Sequence, residues 1–408
     1  MKVLLAHRYF WPENVATLSL MLRDLVHLHH DRGDTVRVVA GASDDFSAQH
    51  EAEFPEHFQS FTFRAGLDRD GGIPRRIAIS FRLLVCCLRH VLFGKKWDLL
   101  YTLSYPPLLA WFLIAFGQWS GRARRSIYYL EDNHVYRMPP GPMRWLYRRV
   151  LKSILRRATC TITLSKDMAD ELVSYFPDAE QDRIARKIAL VPNFSPDISH
   201  VQELPETLEH DIIYAGNHGF AQNLELFLQM LARPEVDPKP KVSFFGGGQA
   251  REMLIARASE LGLDEVVTFN ESVPRAEAQL QMASARFGLV GAIPDLLRFG
   301  NPSKLAGYNI VGTKGIVMCD EDGGTAAELA ETGFGYPLDP VDAAKGARQL
   351  QAILSIPVNL ADRRATQMQA LEAYGSAAYL EKMARLLDNL EAGRDVTPAP
   401  GETKNERL

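Results

Sequence analysis

Lys304 stands in a tripeptide, Pro302-Ser303-Lys304, whose order predicts the opening of a helix that holds an anion. Proline at the first turn has a preset φ and gives up an amide that would be unpaired anyway, so Ser303 and Lys304 begin the helix with free N–H groups. Those amides, the positive end of the helix dipole and the lysine ammonium together attract phosphate. Taken alone, such a tripeptide is more often a plain helix start with a surface lysine. Two glycine turns, Gly216-Asn217-His218-Gly219 and Gly246-Gly247-Gly248, each follow an expected strand and precede an expected helix, and Gly323-Gly324 lies behind the lysine segment. Glycine permits positive φ and close approach of backbone to phosphate. One such turn is usually only a turn. Three of them at the strand carboxyl ends of one domain point to a nucleotide diphosphate, although neither a G-x-G-x-x-G after the first strand nor a G-x-x-x-x-G-K-[ST] occurs.

The first half offers acid–base candidates instead. His134, just past an expected strand at 126–130, can polarise a hydroxyl or take its proton near neutral pH. It is as readily a loop histidine bonded to its neighbours. Glu131 and Asp132 compete with it for contact with a second substrate, and Pro12, Glu13 and Asn14 occupy the loop after the first strand. His7 and His218 lie on the same strand edges with weaker claims.

The elements that must position these residues alternate. Strands are expected at 2–6, 35–40, 98–102, 126–130 and 160–164, with an amphipathic helix over about 16–30. The plan repeats at 211–216, 241–246, 265–270, 287–291 and 315–319, where Leu224, Phe227, Leu228 and Leu231 form one apolar stripe. Alternation of this kind predicts α/β architecture with two doubly wound parallel sheets and ligands beyond the strand carboxyl ends. A chain of 408 residues is too long for one core. The expected division is 1–195, a linker at 196–210, a second domain at 211–372, a closing helix at 373–391 and a disordered tail at 392–408, with ligands in a cleft between the domains.

The net charge of −4 hides an asymmetry: residues 1–195 hold 27 Lys and Arg against 20 Asp and Glu, leaving the second half acidic. Residues 71–97 carry six cations (Arg75, Arg76, Arg82, Arg89, Lys95, Lys96) and no acid, and residues 143–157 carry six more around Trp145 and Leu146. Basic amphipathic helices with aromatic residues lie on anionic membrane surfaces. Their apolar stripes also serve as ordinary core, so the cations are what ask for a partner. Nucleic acid is the weaker reading, since no recognition motif accompanies the charge. Four scattered cysteines lack metal-ligand spacing and fit a reducing cytoplasm. No run is long and apolar enough for a membrane span.

Several stretches in order, RYFWPEN, TLSKDMADEL, IALVPNFSPD, YAGNHGFAQNLE, FFGGGQ and NPSKL followed by Tyr308 and Gly312, resemble the retaining glycosyltransferases of family four, and among them the bacterial polysaccharide and O-antigen branch. The resemblance spans about 1–390. It implies the GT-B fold, a nucleotide-diphosphate sugar on the carboxy-terminal domain and a lipid-linked or cell-envelope glycan acceptor on the amino-terminal one, without metal or cofactor. It puts the 216–219 loop beside the diphosphate, Lys304 on its oxygens, and the backbone near Ser272 and Val273 beside the base. Gly307 replaces the glutamate that the family places on the ribose hydroxyls, with Asp295 or Glu321 as candidate substitutes. That departure keeps open a non-catalytic sugar-nucleotide-binding homologue, beside a nucleotide-sugar epimerase of the same shape. The expected location is cytoplasmic, peripheral to the inner membrane.

Overall fold

Short β-branched and aromatic runs followed by amphipathic helices leave the chain one economical arrangement, parallel strands with helices on both faces. A computed structural model describes residues 1–7, 10, 17–42, 58–64, 73–104, 107–131, 133, 135, 138–191, 201, 203–294, 297 and 302–396, with backbone alone at 17, 41–42, 58–64, 73–77, 79 and 107. The chain divides into two units, Met1–Val191 with the chain from Tyr379 onward, and Pro192–Ala378.

The first unit contains β1 (Lys2–Ala6), β2 (Thr35–Ala42), β3 (Phe58–Arg64), β4 (Trp97–Leu103), β5 (Ala123–Leu130), β6 (Cys160–Thr163) and β7 (Ile188–Leu190). They form one parallel sheet in the order β3-β2-β1-β4-β5-β6-β7. Helices Ile73–Leu92, Pro107–Trp119 and Pro142–Arg157 form a tied layer: Ser120 Oγ donates to Val91 O (2.7 Å), and Trp111 Nε1 donates to Ser153 Oγ (3.0 Å). Helix Thr17–Asp31 buries His29, which is satisfied by Asp34 (2.7 Å) and the Tyr101 hydroxyl (3.0 Å). The last helix, Ser376–Ala392, belongs largely to this unit, with Arg32 paired to Asp388 at 2.9 Å and Tyr379 buried.

The second unit contains β8 (His210–Ala215), β9 (Val242–Phe245), β10 (Val267–Asn270), β11 (Ala285–Val290), β12 (Lys314–Met318) and β13 (Gly335–Leu338), parallel in the order β10-β9-β8-β11-β12-β13. Part of the expected linker is packed chain here: Val201 and Leu204 are buried with Phe334 and Tyr374. In both sheets the order reverses once, at β1/β4 and β8/β11, and a ligand crevice opens at such a point beyond the strand carboxyl ends.

One detail of the second sheet places the lysine. Gly288, Gly315 and Gly335 stand side by side across β11, β12 and β13. A Cβ on Gly288 would lie 2.3 Å from the Tyr308 ring, and one on Gly315 would lie 2.4 Å from Leu305. The missing side chains of Gly288 and Gly315 let helix Ser303–Asn309 sink onto the sheet, burying Leu305 and Tyr308, while Gly335 lets β13 lie close against Gly315. The Tyr308 hydroxyl then accepts from Ala215 N (2.9 Å) and donates to Leu289 O (3.3 Å), spanning β8 and β11 at their crossover.

Candidate active site

Lys304 lies in the first turn of the sunken helix, and Pro302 is its N-cap rather than its first helical residue. The helix has seven residues, so its dipole is short and the ammonium carries most of the local positive charge. Nζ donates to Ala215 O at 2.9 Å and stands 4.9 Å from the centre of the Tyr214 ring. Desolvation pushes its pKa down to about 8. Gly216 has φ 142°, and a Cβ there would come within 1.8 Å of Nζ, so this position has to be glycine for the lysine to reach the β8 end.

The two glycine loops interlock beside it. Gly216 N donates to Phe245 O (2.9 Å), His218 N to Gly247 O (2.8 Å) and Ala250 N to His218 O (2.9 Å). A Cβ on Gly246 would meet Gly216 O at 2.2 Å, and one on Gly248 would meet His218 O at 2.5 Å. Gly219 N donates to Gln222 Oε1 (3.0 Å). The amides of Gly216, His218 and Gly219 are therefore occupied inside the protein. For these three amides this corrects the expectation that the 216–219 loop turns its N–H groups to a diphosphate. Hydrogen bonding within the loop pair consumes them, and the loop's contribution is shape, with exposed Asn217 at its tip.

His218 is fully buried. Its ring is set among Tyr214, Phe244 and Phe269 at 5.6, 6.0 and 6.3 Å, and neither ring nitrogen has a partner among the described residues. Burial, then the charges of Arg251 and Lys304, push its pKa down to about 4, with Glu271 opposing. It is a neutral imidazole at ordinary pH.

Arg251 escaped sequence reasoning. It opens helix Arg251–Glu260 three residues after the triple glycine, pairs with Glu271 at 2.9 Å, and donates to Phe269 O at 3.4 Å. The available signal was a cation at a helix N-terminus, where the dipole disfavours it. Ser272 is exposed and Val273 half-buried just past that carboxylate. Gly323 caps helix Gly324–Thr332 after β12. Glu321 is held by Lys345 (3.0 Å) and Gln349 (2.9 Å), and so is committed within its own loop rather than offered in place of a glutamate at 307. At Gly307, three residues beyond Lys304, a Cβ would have open space.

The structure thus brings Lys304 and the 216–219 and 246–248 loops together beside the β8/β11 crossover, with Arg251 farther along the same edge at the end of β10. Glu131 lies half-buried at the end of β5 in the first unit. Pro12, Glu13, Asn14, Asp132, His134 and Asp295 lie outside the described residues. Among the described residues no three His, Cys, Asp or Glu side chains are grouped as for a metal ion, and the four cysteines are free.

The basic helix Pro142–Arg157 departs from expectation in detail. Leu151, Ile154 and Leu155 are buried, but Met143, Trp145 and Leu146 in its first turns are exposed. Four of its cations are engaged: Arg148 over the Tyr175 ring (4.3 Å), Arg149 over Trp145 (4.8 Å), Lys152 over Phe176 (5.0 Å), and Arg156 on Glu180 (3.0 Å). Most of the charge that asked for an outside partner is answered by aromatic faces and one carboxylate within the unit.

Two parallel Rossmann-like units in succession are the GT-B architecture of glycosyltransferases, and the comparisons agree. Residues 18–193 match the glycosyl transferase 4-like domain. The fold is shared with sucrose-phosphate synthase from Thermosynechococcus elongatus, at TM-score 0.69 and 16% identity over 96% of this chain and 99% of that one. It is shared likewise with the lipopolysaccharide outer core galactosyltransferase WaaB, at TM-score 0.67 and 12% identity over 96% and 99%. Anabaena HepE, solved in complex with UDP and glucose, matches at TM-score 0.65 and 16% identity over 95% and 100%. No curated protein matches the chain. Identities this low speak for the fold alone.

Proposed function

We propose that the protein is a retaining glycosyltransferase that moves a sugar from a nucleotide-diphosphate sugar to a lipid-linked or cell-envelope glycan, without a metal. The observation that carries this reading is Lys304, whose ammonium is fixed on Ala215 O at the crossover of the second sheet. The match of residues 18–193 to the glycosyl transferase 4-like domain and the binding of UDP by a protein of the same fold support it.

In the proposed step the bond between the sugar C1 and the phosphate oxygen breaks while the acceptor oxygen bonds C1 on the same face. The acceptor proton passes to the departing phosphate oxygen. Positive charge grows on the sugar ring and negative charge on the phosphate. A preorganised cation is worth most where the negative charge grows, because it need not reorganise during the reaction. Lys304 fills that role, with Asn217 at the loop tip and Arg251 further out along the same strand edge. His134, Glu131 and Asp132 are assigned to the acceptor side with the loop of Pro12, Glu13 and Asn14. Ser272 and Val273 are assigned to the base, and Gly323 and Gly324 to the far side of the diphosphate.

The test is a thermal-shift screen of the purified protein against uridine, guanosine, adenosine and thymidine diphosphates and their sugars, beside Lys304→Ala. Ligand at a hundred times its dissociation constant stabilises the fold by about 2.7 kcal/mol. A shift for one nucleotide that Lys304→Ala abolishes names the base, and absence of any shift removes the donor-site reading. Gly307 favours a second reading, a homologue that binds a sugar nucleotide without transferring it, because no carboxylate stands at that open position. Tight binding with neither hydrolysis nor transfer would select it.

We further assign a peripheral membrane contact to the layer of helices Ile73–Leu92, Pro107–Trp119 and Pro142–Arg157. Among the described residues no helix is long and apolar enough to cross a membrane. The layer nevertheless exposes Phe81, Phe93, Trp119, Met143 and Trp145 beside exposed Arg82, Arg89, Lys95 and Lys96.

A further inference from the structure

A carboxylate stands out at the end of β10, on the sheet edge that carries Lys304. Glu271 directly follows the strand, its side chain is 84% exposed, and its Oε1 is held by Arg251 at 2.9 Å. Arg251 is 18% exposed, donates also to Phe269 O at 3.4 Å, and keeps a buried Nε without a partner among the described residues. It lies in the first turn of helix Arg251–Glu260, where the helix dipole opposes a cation. The plain account is a surface ion pair that closes β10 onto the helix. Such exposed pairs contribute little to stability, so stability alone does not explain a guanidinium placed against a helix dipole with one nitrogen unsatisfied. Holding a carboxylate in one place, and neutralising it beside an anion site, does.

The distance to Lys304 suits a nucleoside. Neighbouring strands lie about 4.8 Å apart, and β9 alone separates β8 from β10, so the two strand ends are about 10 Å apart. Between them the floor is glycine. Gly246 N donates to Asn270 O at 3.2 Å, and a Cβ on Gly247 would have nothing within 4 Å, so a ribose has room to cross the loop after β9. This step rests on the donor-site reading, in which the diphosphate lies at Lys304 and the base near Ser272 and Val273. Glu271 then stands beside the base.

An ionised carboxylate only accepts hydrogen bonds, with lone pairs on both oxygens. Guanine presents two adjacent donors, N1–H and the N2 amine. Uracil and thymine set one N–H between two carbonyls, and adenine and cytosine set an amine beside an unprotonated ring nitrogen, so each turns a lone pair toward the negative oxygens. We propose that Glu271, positioned by Arg251, selects guanine, and that the donor is a guanosine diphosphate sugar.

Titration calorimetry of the full chain with the diphosphates of guanosine, inosine, uridine and adenosine tests this. Guanosine diphosphate should bind at least about tenfold more tightly than the uridine and adenosine compounds, within the range that a two-point base contact supplies. Inosine diphosphate keeps N1–H and lacks the amine, and should fall between. Glu271→Gln turns an amide N–H toward the guanine donors and should erase the preference, with a melting temperature near that of the wild type because the side chain is exposed. Uridine or adenosine diphosphate binding as tightly as guanosine diphosphate would overturn the assignment, as would a preference unchanged in Glu271→Gln. Inosine diphosphate equal to guanosine diphosphate would overturn the two-donor contact. Lys304→Ala separates the two readings: if uridine diphosphate binds best and its binding needs Lys304, the donor site stands and the guanine assignment falls, whereas binding of no nucleotide removes both.

Discussion

Lys304 and His218 are both ionisable groups whose charged forms are disfavoured by burial, and the sign of each shift can be followed with pH. The lysine pKa falls from 10.5 to about 8 on folding. Between those values the unfolded chain binds the extra proton, so stability rises with pH across that window and burial of the ammonium counts against the fold below it. Lys304→Met should therefore raise the melting temperature of the ligand-free protein at pH 7 while removing its nucleotide diphosphate response. In the wild type, affinity for the diphosphate should fall as pH rises above about 8, since the free protein then carries the neutral amine. Calorimetry in two buffers of different ionisation enthalpy would show proton uptake on binding, and a pH-independent affinity between 7 and 9.5 would contradict the assignment. For His218 the fall from 6.5 to about 4 means that stability drops as pH falls through that range. His218→Leu should leave stability near pH 8 unchanged or higher, and should flatten the acid limb between pH 6.5 and 4 in a series of melts. Both shifts arise from burial, which spacing in the chain does not report, so the residues were legible and their protonation was not. Arg251 was hidden for a related reason: only the fold brings Glu271 and the Phe269 carbonyl to it.

Helix Ser303–Asn309 is positioned by what the sheet lacks. Gly288 and Gly315 leave the room, and Tyr308 uses it to join β8 to β11. Gly288→Ala would put a methyl 2.3 Å from the Tyr308 ring. It should lower stability by about 1–3 kcal/mol, the usual cost of overpacking, and weaken nucleotide binding by displacing Lys304. Tyr308→Phe keeps the ring and leaves the Ala215 amide unpaired, with an expected loss of about 1–3 kcal/mol. Denaturant titration checks both, and a wild-type midpoint in either variant would count against the helix being set this way. Legibility followed the same logic of position. The central strands read cleanly, since burial on both faces writes continuous apolar runs such as KVLLA and FGLVG. Three strands went unread, β3, β7 and β13, and all three are sheet edges. β7 has only three residues, and β13 contains Pro337, which an edge tolerates and which argues against a strand when met in sequence. The loops after β8 and β9 were legible as glycine turns. Their mutual hydrogen bonds, which spend the amides expected to face a ligand, belong to strand pairing and could not be read from either turn alone.

At the scale of the molecule, the first half of the chain carries the excess of positive charge and the second half the excess of negative. Within the first unit, aromatic side chains and local carboxylates absorb most of the cations on helix Pro142–Arg157. The membrane assignment therefore rests less on that charge run than on apolar exposure, with Phe93 82% and Trp119 79% exposed. The turns carrying these two side chains adjoin, since Trp97 N donates to Arg122 O at 2.6 Å, and the same two segments carry exposed Lys95, Lys96 and Arg124. Aromatic rings set among cations suit the headgroup boundary of an anionic bilayer, where each cation near the surface contributes about 1 kcal/mol. Sedimentation with vesicles of phosphatidylglycerol and phosphatidylethanolamine should bring the protein down at low salt. Raising salt to 0.5 M should weaken binding without abolishing it if the rings insert, whereas a purely electrostatic contact would be lost. The double variant Phe93→Ser with Trp119→Ser should remove the salt-resistant part and leave thermal stability and nucleotide response intact, because neither side chain is part of a core. If the double variant binds vesicles as the wild type does, the contact lies elsewhere on the layer, and Trp145 with Met143 becomes the pair to change.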